Sequence, residues 1–286
     1  MKNVMTQMTL ALALALMALS SDCFATAISP VVQGLGGAGR AGVAKESAFT
    51  NPASAALLKD ASAFVFWNKP KVSAFNSGGR GYSVGASDGG TAIKGSFAYV
   101  SSSMARIGRD HEQVYEDRSE FRFASGFSLG GNVAGGIATR YVNRRTDGEG
   151  RKFFQGDLGL LFPLFGGITG GLTYENVFNQ EDERPSTFGA GLQYIIGGGL
   201  RVFADGTKIM KGTRKTATGW AIAGDLTLGK DYAVRVGRYE DAYRNLKGWS
   251  FGAAWTGPRM TIDYALRLAG DNPKEQDHIL GFTVSI

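Results

Sequence analysis

Met260-Thr261-Ile262-Asp263-Tyr264-Ala265-Leu266-Arg267-Leu268 decides the fold. Met260, Ile262, Tyr264, Leu266 and Leu268 put an apolar side chain at every second position, and Thr261, Asp263, Ala265 and Arg267 fill the other face with polar or small groups. Period 2 is the signature of a β-strand with two unlike faces. The final stretch repeats it: His278, Leu280, Phe282, Val284 and Ile286 share one face, Gly281, Thr283 and Ser285 the other. Working upstream, the same alternation runs through Trp249, Phe251, Ala253 and Trp255, through Trp220, Ile222, Leu226 and Leu228, and through Phe188, Ala190, Leu192, Tyr194 and Ile196. Val133, Ile137 and Tyr141 continue it, as do Phe121, Phe123, Phe127 and Leu129. The spacing predicts strands of roughly 9 to 12 residues, a length that crosses a bilayer when tilted.

The connections supply a second signal. Tight-turn chemistry sits at Asp88–Gly90, Gly130–Gly131, Pro163–Phe165, Gly197–Gly198, Gly229–Lys230 and Gly257–Pro258. Between them, longer polar stretches are expected to be loops: Asn76–Gly79, Ser102–Arg118, Arg144–Lys152, Asn179–Pro185, Met210–Thr216, Asp241–Lys247 and Gly270–Gln276. Short turns on one rim and long loops on the other match a bacterial outer-membrane barrel, with the short turns periplasmic. Adding a first strand near Ala63–Phe75 gives fourteen strands, with twelve as the alternative count. The fold class expected is therefore all-β: a transmembrane antiparallel up-and-down barrel. Closure is needed because unpaired strand edges in hydrocarbon leave backbone groups unsatisfied at several kcal/mol each. A water-soluble sandwich would place long polar side chains on the face opposite the apolar one. Here that face is mostly Gly, Ala, Ser and Thr with single charges.

Composition agrees. Forty-two glycines in 286 residues argue against an all-helical chain, since each weakens a helix by about 1 kcal/mol relative to Ala. The formal charge of +6 is spread along the chain without a basic cluster, which points away from nucleic acid as a partner. Lys2, the apolar run Leu10–Leu19 and the small-x-small step Ala25-Thr26-Ala27 read as a secretory signal peptide over 1–27. Cys23, the single cysteine, falls within it. His111 and His278 are the only histidines, without metal-ligand spacing, so no enzyme chemistry, metal or cofactor is expected.

Residues 34–39 spell Gly-Leu-Gly-Gly-Ala-Gly, formally a dinucleotide fingerprint with Asp60 downstream. The parallel strand context that this motif needs is missing, and Asn51-Pro52 interrupts the interval. Gly42–Phe49 suits a short helix; Asn51 suits an N-cap and Pro52 the first position of a second helix through Leu58. The run Gly34-Leu-Gly-Gly-Ala-Gly-Arg-Ala-Gly-Val-Ala44, followed by Asn51-Pro52-Ala53, resembles the FadL-type family of outer-membrane transporters for hydrophobic molecules. The resemblance implies an N-terminal plug over 28–60 inside a barrel formed by 61–286, with Gly34, Gly36, Gly37, Gly39, Asn51, Pro52 and Ala53 as gating residues. It implies outer-membrane lipid and a small apolar solute as partners. The alternative is a structural barrel whose loops or plug dock other proteins.

If the apolar faces meet lipid, the charges facing the lumen are Lys94, Arg122, Arg140, Asp157, Glu175, Arg201, Asp205, Asp225, Arg235, Asp263 and Arg267. Opposite signs interleave, so mutual pairing is expected, along a polar interior that would tune passage. Trp67, Trp220, Trp249 and Trp255 are expected at lipid-facing or interfacial positions.

Overall fold

The computed structural model describes residues 29–42, 45–72, 77–90, 93–107, 113–146, 148–178, 185–210, 217–241, 246–270 and 276–286. The expected signal peptide and His111 lie outside the described residues. Fourteen antiparallel strands follow one another around a closed barrel. They are β1 (Ser62–Val72), β2 (Ser77–Gly78 and Arg80–Asp88, one register against β1 on both sides of Gly79), β3 (Lys94–Ile107), β4 (Gln113–Gly130) and β5 (Val133–Thr146). Next come β6 (Glu149–Pro163), β7 (Ile168–Glu175), β8 (Thr187–Ile196), β9 (Leu200–Ile209) and β10 (Thr218–Leu228). β11 (Tyr232–Asp241), β12 (Leu246–Thr256), β13 (Met260–Ala269) and β14 (Gln276–Ser285) complete the wall. β14 closes it on β1, from Ser62 opposite Ser285 to Lys71 opposite Gln276, so no sheet edge is left open.

The alternation sorts the side chains as the sequence predicts. Phe121, Phe123, Phe127 and Leu129 of β4 point out and are about half exposed, while Arg122 and Ala124 between them are buried. Val234 and Val236, Trp249 and Phe251, and Phe282 and Val284 repeat this around the wall. From Phe121 to Leu129 the strand advances about 26 Å at about 3.3 Å per residue. A tilt of about 40° brings that to about 20 Å, close to the apolar band of a transmembrane barrel. At one level the band ends in an aromatic row: Trp67 lies opposite Tyr82, Tyr99 opposite Phe121, Phe121 opposite Tyr141, and Tyr141 opposite Phe154. The Tyr99 and Phe121 rings are 4.9 Å apart and those of Tyr141 and Phe154 5.0 Å. Beyond the row, outward positions turn polar at Ser101, Ser119, Asn143 and Lys152. Trp67, Trp249 and Trp255 are outward and exposed, and the half-buried Trp220 donates its indole N–H to Glu240 at 2.9 Å.

Three expectations are corrected. Within Ser102–Arg118 the described residues are not loop: β3 and β4 stay paired from Ser102 opposite Arg118 to Ile107 opposite Gln113. Arg144–Lys152 is likewise mostly ladder, paired to Thr146 opposite Glu149. β4 is therefore 18 residues long, β6 15, and β3 and β5 14 each, beyond the expected length. Polar side chains on both faces read as loop, but the ladder hydrogen bonds continue, with the outward face exposed and the inward Arg118 and Arg144 buried in ion pairs with Glu120 and Glu116. The short-turn rim is as expected. Gly130, Gly131 and Asn132 have φ of 98°, 58° and 66°, which only Gly and Asn accept readily. The helix expected over Gly42–Phe49 is replaced by turns over 45–49, where Phe49 N–H donates to Glu46 C=O at 2.8 Å.

Candidate functional site

The N-terminal segment lies inside the barrel, where a chain without a ladder must satisfy its backbone through side chains. Helix α1 (Pro30–Gly34) begins at Ser29, whose hydroxyl accepts from Val32 N–H at 3.2 Å. It packs on β12 and β13, and Ser250 donates to Gly34 C=O at 2.9 Å. Gly34 meets Gly252: a Cβ at Gly34 would lie 3.2 Å from the Gly252 Cα. Gly36 packs against Ser250 and Tyr239, Gly37 N–H donates to Val32 C=O at 2.8 Å, and Gly39 N–H turns to Asp205.

Asp205 is the first anchor. Its Oδ2 accepts from Gly39 N–H at 3.1 Å and Arg40 N–H at 3.0 Å, and the Arg40 guanidinium reaches the same oxygen at 3.3 Å. Arg40 also donates to Thr173 at 3.1 Å and Glu175 at 2.9 Å. One buried cation thus holds β7, β9 and the segment together.

Asn51 is the second. Its Oδ1 accepts from Ala53 N–H at 3.0 Å, capping a 3-10 helix (Pro52–Leu57), and its Nδ2 donates to Arg40 C=O at 2.8 Å and Leu160 C=O at 3.0 Å. This turn rests on three glycines abreast on neighbouring strands, Gly126 opposite Gly136 and Gly136 opposite Gly159. A Cβ would lie 2.3 Å from Ala56 N at Gly126, 2.2 Å from Ala53 N at Gly136, and 2.0 Å from Asn51 Oδ1 at Gly159. The wall is bare backbone there because another backbone lies on it. Farther on, Lys94 donates to Leu58 C=O at 2.6 Å, and the hydroxyls of Ser47 and Ser96 are 2.8 Å apart.

The remaining inward charges pair along the wall. Arg201, Asp225 and Arg235 stand opposite one another on β9, β10 and β11, with contacts of 2.5 and 3.4 Å, and Arg235 reaches Asp263 at 2.8 Å. Arg122 faces Arg140 across β4 and β5; Glu120 takes Arg122 at 2.6 Å and also binds Arg118, and Asp157 takes Arg140 at 2.9 Å. Arg267 lies 3.9 Å from Asp241 with its guanidinium over the Tyr239 ring. Of the expected set, Lys94 and Asp205 bond the segment's backbone away from these clusters, and Arg122 reaches Ala48 C=O at 3.5 Å from within one.

Glu46 stands apart. It is buried, its Oε2 has no hydrogen-bond partner, and its pKa is pushed up to about 8 by burial first and Asp263 second, against Arg235 and the N–H groups of Val32 and Val31. It borders a cavity of about 370 Å³ lined also by Val31, Phe64, Phe66, Arg235 and Asp263. The rings of Phe64 and Phe66 stack at 4.7 Å, with Phe49 edge-on to Phe64 at 5.9 Å. The site is thus a polar interior, closely occupied, with a cavity beside it that Phe64 and Phe66 line together with Lys45, Arg201, Arg235 and Asp263. No group of His, Cys, Asp and Glu among the described residues is arranged to hold a metal ion.

The sequence reading missed Arg40, Glu46, Glu120 and the row Gly126, Gly136 and Gly159. The glycines carried a usable signal, since the period-2 register places all three on the inward face. Arg40 sat unremarked within the glycine run.

No protein-family profile and no curated protein matches the chain. Among solved structures it is similar to the CymD monoaromatic hydrocarbon channel, with 12% identity and a TM-score of 0.70, over 90% of this chain and 97% of that one. It is similar to the toluene transporter TodX of Pseudomonas putida, with 9% identity and a TM-score of 0.69, over 89% and 97% of the two chains. A Pseudomonas aeruginosa FadL homologue gives 10% identity and a TM-score of 0.63, over 93% and 98%. At such identities the likeness shows the fold: this chain has the barrel architecture of those channels.

Proposed function

We propose that this chain is a short FadL-type outer-membrane barrel through which small apolar solutes pass, with residues 28–60 as a plug in its lumen. The observation that carries the reading is the way the segment is seated. Backbone groups of Gly34, Gly39, Arg40 and Leu58 bond to the wall side chains Ser250, Asp205 and Lys94, and the Asn51–Leu57 turn lies on bare glycine. Such contacts can be exchanged for water one at a time, whereas a strand of the wall cannot leave without opening the barrel. The exposed apolar belt supports a lipid environment, and the long hairpins β3–β6 support the usual orientation, with the short turns and both chain termini on the periplasmic side. The cavity beside Glu46, where Phe64 and Phe66 stack among polar and charged neighbours, supports a solute of ring size. The similar proteins, a monoaromatic hydrocarbon channel and a toluene transporter, agree with that class.

In this reading the solute enters from the long-hairpin side, the segment shifts off Asp205 and the glycine row, and the solute leaves through the lumen or the wall. The test is uptake of a radiolabelled monoaromatic hydrocarbon by bacteria whose glycolipid outer leaflet slows passive entry. Faster uptake on expression of this chain, altered by Arg40→Ala, supports the proposal. Uptake no faster than in cells lacking the chain, with a protein co-purifying on the barrel, would favour the structural role instead.

A further inference from the structure

Just beyond the aromatic row, the outer face of the wall carries a groove of about 1020 Å³. Its lining includes Tyr82, Arg80, Asp117, Asn143, Arg145 and Lys152. Register places them together: Arg80 is opposite Ser103, Ser103 opposite Asp117, and Asp117 opposite Arg145, while Asn143 is opposite Lys152. They share the face of the exposed aromatics. Arg80 is two residues before Tyr82, Lys152 two before Phe154, and Arg145 four beyond Tyr141.

We infer that this groove holds the headgroup of a phosphorylated glycolipid, with its phosphates on Arg80, Arg145 and Lys152 and its sugar on the serines and Asn143. Three exposed cations stand against the single acid Asp117, the fourth lining cation, Arg118, being buried against Glu120, which suits an anionic occupant. The position suits a lipid, because the groove continues from the band that meets acyl chains and begins where headgroups begin. The volume is far more than one phosphate fills, and Ser101, Ser103, Ser119 and Asn143 add hydroxyl and amide groups of the kind that bind sugars. The inference rests on the membrane orientation proposed above, with the long hairpins in the outer leaflet.

The experiment is native mass spectrometry of the detergent-purified full chain with a bisphosphorylated acyl-disaccharide lipid, its dephosphorylated form, and phosphatidylglycerol. The expected result is retention of the bisphosphorylated lipid at least tenfold above the other two. The triple change Arg80→Gln, Arg145→Gln, Lys152→Gln lowers it at least tenfold, and Lys208→Gln, an exposed lysine on β9, leaves it unchanged. Equal retention of phosphatidylglycerol, or equal loss in the Lys208 variant, would overturn the site in favour of diffuse charge attraction. No retention by a barrel that still inserts into vesicles and resists unfolding in unheated gels overturns this inference alone. A chain that stays soluble without detergent overturns the membrane reading beneath it.

Discussion

Arg40 and Asp205 are 165 residues apart in sequence, yet Asp205 accepts both the backbone N–H of Arg40 at 3.0 Å and its guanidinium at 3.3 Å. Asp205 lies on the wall and Arg40 on the segment within, so this contact measures whether the segment is seated. Asp205→Asn keeps the shape but leaves the Arg40 cation with Glu175 as its remaining carboxylate. Breaking a buried pair from one side costs about 3 kcal/mol or more. The expected outcome is faster amide hydrogen exchange at Gly39 and Arg40, with the exchange of β10–β12 unchanged. Equal loosening of wall and segment would show that Asp205 holds the barrel instead.

The glycine row separates the seat from the wall in a second way. Gly136→Ala places a methyl group where Ala53 N stands 2.2 Å away, and Gly159→Ala puts one 2.0 Å from Asn51 Oδ1. Overpacking of this kind costs about 1–3 kcal/mol. Both variants are expected to release the Asn51–Leu57 turn, read as new protease cleavage within 45–58 while the barrel resists. Gly224→Ala, where nothing lies within 4 Å, is the control and leaves the pattern unchanged.

Glu46 makes the seating depend on pH. Seated, its pKa is about 8, raised by burial and by Asp263; released into water it returns to its ordinary 4.5. Between those values the seated state holds a proton that the released state has lost, so raising the pH weakens seating, by up to about 1.4 kcal/mol per unit. Below 4.5 and above about 8 the dependence vanishes. A spin label at Lys45→Cys, with Cys23→Ser, should become more mobile between pH 5 and 8. Glu46→Gln should flatten that profile, and an unchanged slope in this variant would assign it to another group.

The apolar belt is tested from outside. Ile137 is half exposed at the level of Ser125, midway between Phe121 and Leu129, and Ile137→Arg there should cost about 2–4 kcal/mol of insertion free energy. The same change at Ser119, beyond the aromatic row, should cost little. Folded fractions in vesicles, measured by heat-sensitive gel migration, compare the two.

How much of this was legible follows from which forces act locally. The outward face of β13 could be read residue by residue because lipid demands apolarity at every second position whatever the neighbours are. The inward charges were legible for the same reason, as the complement of that face. The extended hairpins were not. Ser102, Arg118 and Arg144 are polar, and Arg118 and Arg144 are buried on the inward face by ion pairs with Glu120 and Glu116 rather than by apolar packing, so no apolar period marks them. The seat was also hidden. Gly126, Gly136 and Gly159 become one surface only through a register set by three separate strands, and Arg40 finds Asp205 only once the barrel has closed. Arg122 opposite Arg140 would look unfavourable from sequence, and Glu120 and Asp157, one on the same strand and one on the next, relieve it.

The central claim is that the segment inside the barrel governs passage through it, and Ser47 and Ser96 offer the most direct test, since their hydroxyls are 2.8 Å apart across segment and wall. In a chain with Ser47→Cys, Ser96→Cys and Cys23→Ser, oxidation should join the two by a disulfide, verified by mass. Uptake of a radiolabelled monoaromatic hydrocarbon by cells expressing it should then fall to the level of cells without the chain and recover on reduction. Uptake that continues undiminished with the disulfide formed would contradict the account.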